Sequence, residues 1–255
     1  MPHSTSPQRR LRAAVFAPLV EGGKVELVEE RIVRGISSGV LGEGDRLPSE
    51  ADMASSLGVA TVTAREALAG LRRRGFVVTK RGRDGGTFVT LKEDERERLL
   101  DARLAQTSLV ELRDLALHYR VVASAAAQLA ADKADSDDIS TLGILLDDTV
   151  GPRRPGQRSA DLLLEIAALS HSARLTREFV RLHADFESFL TLAHGDPEFE
   201  AWASAWGLRL VDAVRAADAP QLGELAAEYT NRGLVWLIAE RDQLVHHNEE
   251  RSHAG

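Results

Sequence analysis

Thr61, Val62, Thr63 and Arg65 form a short run of residue types that suits contact with the edges of base pairs. An arginine can donate two hydrogen bonds to one guanine, and a threonine hydroxyl can reach a phosphate or a base edge. Arg65 also has a plainer option, an exposed ion pair with Glu66 or Glu50. Further on, Arg81 and Arg83 stand in Arg81-Gly82-Arg83-Asp84-Gly85-Gly86, where they could enter a minor groove or straddle phosphates, or simply decorate a solvated turn. Arg46, Ser49 and Gly85 complete the candidate nucleic-acid contacts, because backbone and short polar groups beside a reading helix hold phosphates. Arg72-Arg73-Arg74 reads as mainly structural, since cations suit the C-terminal end of a helix. His171, His183 and His194 contain no i,i+4 pair and read as surface or satisfied core residues rather than ligands.

Three short helices and a hairpin would position the first set. Val25, Val28, Ile32 and Ile36 carry the 3.6-residue stripe of an amphipathic helix, closed by Ser37-Ser38-Gly39. A turn-rich loop through Leu47-Pro48 follows, and Ser49 with Asp52 offers a cap for a second helix over about 50–57. Gly58-Val59 breaks it. A third helix begins near Thr61, with a second cap signal at Thr63 and Glu66, and runs to Gly75. Phe76–Lys80 and Thr87–Thr90 are then β-branched and aromatic runs around a glycine-rich tip, which predicts a hairpin. This order, three helices and then a β-hairpin, is that of a winged helix-turn-helix, whose last helix enters the major groove.

The remainder reads as helical, with a linker helix starting at 92–98 and further helices at about 108–132, 137–149, 159–173, 175–193, 197–217 and 220–248. Ser136 and Asp218 stand at expected helix starts, and Gly151–Gly156 is the clear irregular loop. The expected class is mainly α: an N-terminal winged helix-turn-helix and a C-terminal antiparallel all-α bundle. The expected organisation is a flexible basic arm over 1–20, a DNA-binding domain over 21–91, a linker over 92–107, a helical effector-binding and dimerisation domain over 108–248, and a tail over 249–255.

Composition narrows the function. Residues 1–90 hold 14 Lys and Arg against 10 Asp and Glu, whereas residues 91–255 hold 18 against 29. A polyanionic partner therefore belongs with the front half. The chain of 255 residues has no cysteine, which excludes disulfides, thiolate metal sites and cysteine nucleophiles. The N-terminus lacks the apolar core of a signal peptide and no window approaches a membrane span, so a cytoplasmic location without membrane contact is expected. No nucleophile elbow, phosphate loop or His-Glu-x-x-His motif is present, and no enzyme is expected.

The run Gly44-Asp45-Arg46-Leu47-Pro48-Ser49-Glu50, then Leu57-Gly58-Val59, Arg65-Glu66-Ala67-Leu68, Leu71, Gly75 and Gly86-Thr87-Phe88-Val89 resembles the N-terminal domain of GntR-family transcription regulators. Family members usually carry arginines where this chain has Ala51 and Thr61, so Arg65 alone remains of three and an uncommon operator is implied. The helical half resembles the FadR-type effector domain through Arg120-Val121-Val122-Ala123-Ser124, the alanine-rich stretch after it, and Ala216-Ala217-Asp218. Many such domains hold a divalent metal with an Asp-x-x-x-His pair and two later histidines. Here Asp161 and Glu165 take the place of the pair, and Gly207 and Tyr229 fall at the later positions. No metal cofactor is therefore expected, although the two carboxylates, on one helix face, could bind a hard cation with waters or orient a ligand hydroxyl or amine.

The resemblance implies a ligand-responsive regulator, homodimeric, reading a palindromic double-stranded DNA operator, and released as a repressor by a small anionic metabolite. Arg120 would hold the anionic group, with Asp161 and Glu165 lining the same cavity. The alternative is a DNA-binding protein whose bundle only dimerises or contacts proteins. A pocket lined by Arg120 and the two carboxylates would favour the first, and a solid leucine core the second.

Overall fold

A computed structural model of the chain describes Arg12, Val15, Phe16 and residues 25–37, 39–82, 85–147 and 156–253. Most of the expected arm, and Arg83, lie outside the described residues. The chain divides into two units, Met1–Leu100 and Asp101–Gly255.

In the first unit α1 (Val25–Ser37) buries Val28, Ile32 and Ile36, the stripe that the sequence carries. Ser49 caps α2 (Glu50–Leu57) by accepting the Asp52 N–H, and Gly58 ends the helix in the left-handed region, at φ 71°. The recognition helix α3 (Thr61–Arg73) starts differently from expectation. Ala60 sits at its cap and makes no side-chain bond, and Thr63 is buried inside the first turn with Ala64. The strands β1 (Val77–Lys80) and β2 (Gly86–Val89) pair antiparallel, with Val77 opposite Val89 and Lys80 opposite Gly86. Residues 44–47 lie along the far edge of β2: the Gly44 N–H donates to the Val89 carbonyl at 2.9 Å and the Leu47 N–H to the Thr87 carbonyl at 2.8 Å. Thus the loop before α2 is fastened to the wing. Met53, Leu57, Leu68, Leu71, Phe76 and Val89 join the α1 stripe in one core. Truncating Leu68 there would cost about 2–5 kcal/mol.

The helix α4 (Glu93–Gln106) runs across the division between the units. Beyond it come α5 (Leu109–Ala130), α6 (Ser136–Leu146), α7 (Gln157–Leu169), α8 (Ala173–Ala193), α9 (Pro197–Arg215) and α10 (Ala219–His253). Reciprocal capping boxes fix two starts, Ser108 with Glu111 for α5 and Asp135 with Asp138 for α6. Asp135 rather than Ser136 is therefore the cap of α6. Asp218 accepts the Gln221 N–H and starts α10 as the sequence suggests. The break between α7 and α8 comes earlier than expected, because Ser170 turns its hydroxyl onto the Ala167 carbonyl and His171 adopts φ 52°. The last helix continues to His253; no glycine or proline interrupts 234–253. The central α5 packs against α7, α8 and α10.

A candidate nucleic-acid interface and a buried polar cluster

The first turn of α3 offers Thr61, Val62 and Arg65 to solvent, and Val62 is 57% exposed. Thr63 points the other way, so it is not available for contact beside its neighbours. The Arg65 Nε donates to Glu50 Oε2 at 2.8 Å, while the side chain stays 64% exposed. That bond and the carboxylate charge raise the guanidinium pKa, keeping it protonated. The surface pairing foreseen with Glu50 is thus present, but it occupies only Nε; the terminal nitrogens make no bond to the described residues. Ser49 is exposed, yet its hydroxyl donates to Asp52 Oδ2 at 2.6 Å and serves the α2 cap.

On the wing, Arg46 lies across β2, with its Nε 2.7 Å from where a Cβ on Gly86 would stand. Arg81 is exposed at the tip, and Gly82 adopts φ 114°, a conformation that favours glycine. A side chain on Gly85 would meet the Lys80 and Gly82 carbonyl oxygens at 2.7 and 2.8 Å. The turn therefore needs glycine at 85 for close approach, not for positive φ. Lys80 sits over the Phe88 ring at 5.1 Å.

In the helical unit the expected effector residues do not converge. Asp161 and Glu165 are buried on α7. Arg120 is half-buried, and its Nη1 donates to Asn231 Oδ1 at 3.3 Å instead of meeting either carboxylate. Asn231 lines an outer groove of about 900 Å³ on α10 together with Asp196, Glu198, Glu224, Glu228 and Arg232. Two of these carboxylates are paired, Glu228 with Arg209 and Glu198 with Arg232. No group of three or more His, Cys, Asp or Glu with metal-holding geometry occurs among the described residues.

The core of this unit instead contains a polar chain that the sequence did not reveal. His194 Nδ1 meets the Glu200 carboxylate, and His194 Nε2 lies 3.0 Å from the Tyr229 hydroxyl. The Tyr229 hydroxyl donates to Glu187 Oε1 at 2.7 Å. Beside Glu187, on the same face of α8, His183 Nδ1 lies 3.0 Å from the Tyr119 hydroxyl of α5. Two atoms of this cluster are left over: His183 Nε2 and Glu187 Oε2 are buried without a hydrogen-bond partner among the described residues. Burial holds His183 neutral, lowering its pKa to about 3. Burial also raises Glu187 to about 7, against the pull of the His194 charge and the Tyr229 bond. Both tyrosines are pushed well up by burial and by the Glu187 charge. Tyr119 packs 5.4 Å from Phe179 and 4.9 Å from Phe186 between ring centroids, walling the cluster with aromatics.

Of the three histidines, then, His171 is exposed whereas His183 and His194 are buried in a network. The available signal was His183-x-x-x-Glu187, an i,i+4 pair of mixed type overlooked by a search for paired histidines.

Among known proteins, the sequence profile described as "Bacterial regulatory proteins, gntR family" matches residues 24–89. RmpR of Mycobacterium gastri, an HTH-type transcriptional regulator by name, is 34% identical over 236 residues, covering 89% of this chain and 85% of that protein. NanR of Klebsiella aerogenes, named an HTH-type transcriptional repressor, is 27% identical over 188 residues, which is 72% of this chain and 64% of NanR. Among solved structures, E. coli McbR/YncC is similar with a TM-score of 0.45 and 16% identity, over 86% of this chain and 99% of that one.

Proposed function

This chain belongs to the gntR family, transcription regulators with a DNA-binding helix-turn-helix, and from that premise we propose that it is a homodimeric, ligand-responsive repressor of the FadR type. The observation that carries the DNA reading is the exposed edge of Thr61, Val62 and Arg65 at the start of α3, flanked by Arg46 and Arg81 on the wing. Arg65 would donate its terminal nitrogens to a base edge, Thr61 would meet phosphate, and Val62 would pack on a thymine methyl. Arg46, Arg81, Arg83 and the Gly85 backbone would hold phosphates. Ser49 and Thr63 act in this reading through the backbone they fix. The named repressor role of NanR supports the direction of control.

The homodimer rests on α5, where Val110, Leu117 and Val121 are 77%, 50% and 58% exposed at helical spacing, an apolar face that a second copy would cover. A dimer reads two half-sites one helical turn apart, so a palindromic operator follows. With no helix among the described residues long and apolar enough to cross a membrane, a cytoplasmic location is the one proposed. The effector is assigned to the helical unit because a packed bundle has no need of buried histidine, glutamate and tyrosine at its centre. At Arg120, where the resemblance implies an anionic effector, Nη1 donates to Asn231, a residue that lines the outer groove.

Selection of bound sequences from random double-stranded DNA tests the reading, together with sedimentation of the protein and of Leu117→Glu. Enrichment of a palindrome by a dimer, lost with the dimer in the variant, is the expected result. Failure to enrich any sequence would overturn it.

A further inference from the structure

His183 Nε2 and Glu187 Oε2 are both buried without a partner among the described residues. They belong to residues one turn apart on α8, and His183 Nδ1 is 4.0 Å from Glu187 Oε2. Two buried polar atoms with no partner among the described residues call for a further polar group, because each costs free energy if left unmet. Hydrogen positions follow from the partners. Among the described residues Tyr119 has no acceptor other than His183 Nδ1, so its O–H donates there and the neutral ring carries its proton on Nε2. Tyr229 donates to Glu187 Oε1, which leaves Oε2 as an acceptor when the carboxyl is ionised. The open groups are therefore one donor and one acceptor on residues one turn apart on α8.

We propose that His183 and Glu187 form the recognition point of a ligand site in the helical unit, and that it takes an uncharged ligand group with an acceptor and a donor side by side, a hydroxyl or a primary carboxamide. This rests on the reading of the helical unit as effector-binding. A carboxylate ligand would bring a second negative charge against Glu187, which has no Lys or Arg partner among the described residues and lies beside a neutral His183. Phe179 and Phe186 pack against the Tyr119 ring, and Phe179 against His183, so the surroundings of the imidazole are apolar.

The test uses the full-length protein at pH 8 with matched small probes, formamide against formate and benzamide against benzoate. Binding is followed by the His183 imidazole nitrogen resonances, and operator affinity is measured in the same samples. The amides are expected to shift the His183 Nε2 signal and to bind at least tenfold more tightly than the acids, with the effect lost in His183→Leu. Glu187→Gln turns the acceptor into a second donor, so the preference should reverse towards formate and benzoate. An unreversed preference in that variant overturns the proposal even if His183→Leu fails to fold. Equal or tighter binding of the acids to the unsubstituted protein overturns it, as does a tightly held water that no probe displaces. If the probes bind at His183 but leave operator affinity unchanged, the site stands and the ligand-responsive reading falls.

Discussion

The two units place their polar chemistry on opposite sides of the surface. In the winged helix the working residues point outward: Arg65, Arg81 and Val62 are exposed, and the core beneath them is aliphatic and aromatic apart from Ser37, Thr63 and Arg96, whose Nη1 donates to the Ser37 carbonyl. In the helical unit the distinctive residues point inward, with His183, His194, Glu187, Tyr119 and Tyr229 all buried. A surface site can lose a side chain without disturbing the fold, whereas an inward site couples occupancy to stability. Removing a partner there leaves another polar group unmet, at about 1–3 kcal/mol each.

The largest expected effect therefore lies inside the helical unit. Glu187 has a folded pKa of about 7 against an ordinary 4.5, so the folded state favours the protonated acid. No penalty exists below 4.5, where both states are protonated. It grows between 4.5 and 7 and is constant above, so stability falls as pH rises through this window, by on the order of 3 kcal/mol in full. Glu187→Gln should remove that fall while adding an offset that does not depend on pH. Denaturant unfolding of both proteins between pH 4.5 and 8 reads it directly, and parallel pH profiles would place Glu187 in water rather than in the core.

Next in size is a surface effect. Arg65→Ala should weaken operator binding by about 1–3 kcal/mol while leaving the melting temperature within a degree or two, because only an exposed bond to Glu50 is lost. Mobility shift and thermal melting of one preparation separate the two quantities. Unchanged affinity would remove Arg65 from the interface and erase the contrast between the units.

The same contrast explains what could be read from sequence. The winged helix is built from local signals: the 28-32-36 stripe, the Ser49–Asp52 cap, Gly58 and the wing glycines each act within a few residues, so order and chemistry were legible together. Even there the cap of α3 was misjudged, because Thr63 has cap chemistry but falls on the face that the core claims. The helix count in the second unit followed from periodicity in the same way. Its polar cluster did not, since Tyr119, His183 and Tyr229 come together only through the packing of α5, α8 and α10. Arg120 shows the same dependence on packing: it neighbours Tyr119 in sequence, yet a step of 100° around the helix carries it out to Asn231.

Ser49 probes a smaller difference within the surface site. Its hydroxyl is committed to Asp52 as acceptor from the N–H and donor to the carboxylate. Ser49→Ala should therefore cost about 1 kcal/mol of stability. Its effect on operator affinity should be far below that of Arg65→Ala. A loss of affinity equal to that of the arginine variant, with stability intact, would mean that the hydroxyl leaves its cap to meet phosphate.

The smallest expected effect concerns metal. Carboxylates alone retain hard ions weakly, and imidazole is what holds zinc or nickel. Here the buried carboxylates Asp161 and Glu165 have no histidine within their i,i+4 pair, and the Tyr229 hydroxyl is already spent on Glu187. His194 has both ring nitrogens occupied, by Glu200 and by Tyr229. A chelator should thus leave the melting temperature unchanged, since a bound metal would stabilise the native state in proportion to its affinity. Elemental analysis of the purified protein should find transition metal far below one equivalent per chain. A full equivalent of zinc, with a chelator-dependent drop in melting temperature, would show that the inward chemistry of the helical unit is metal coordination and that the hydrogen-bonded chain through Tyr229 rearranges to supply it.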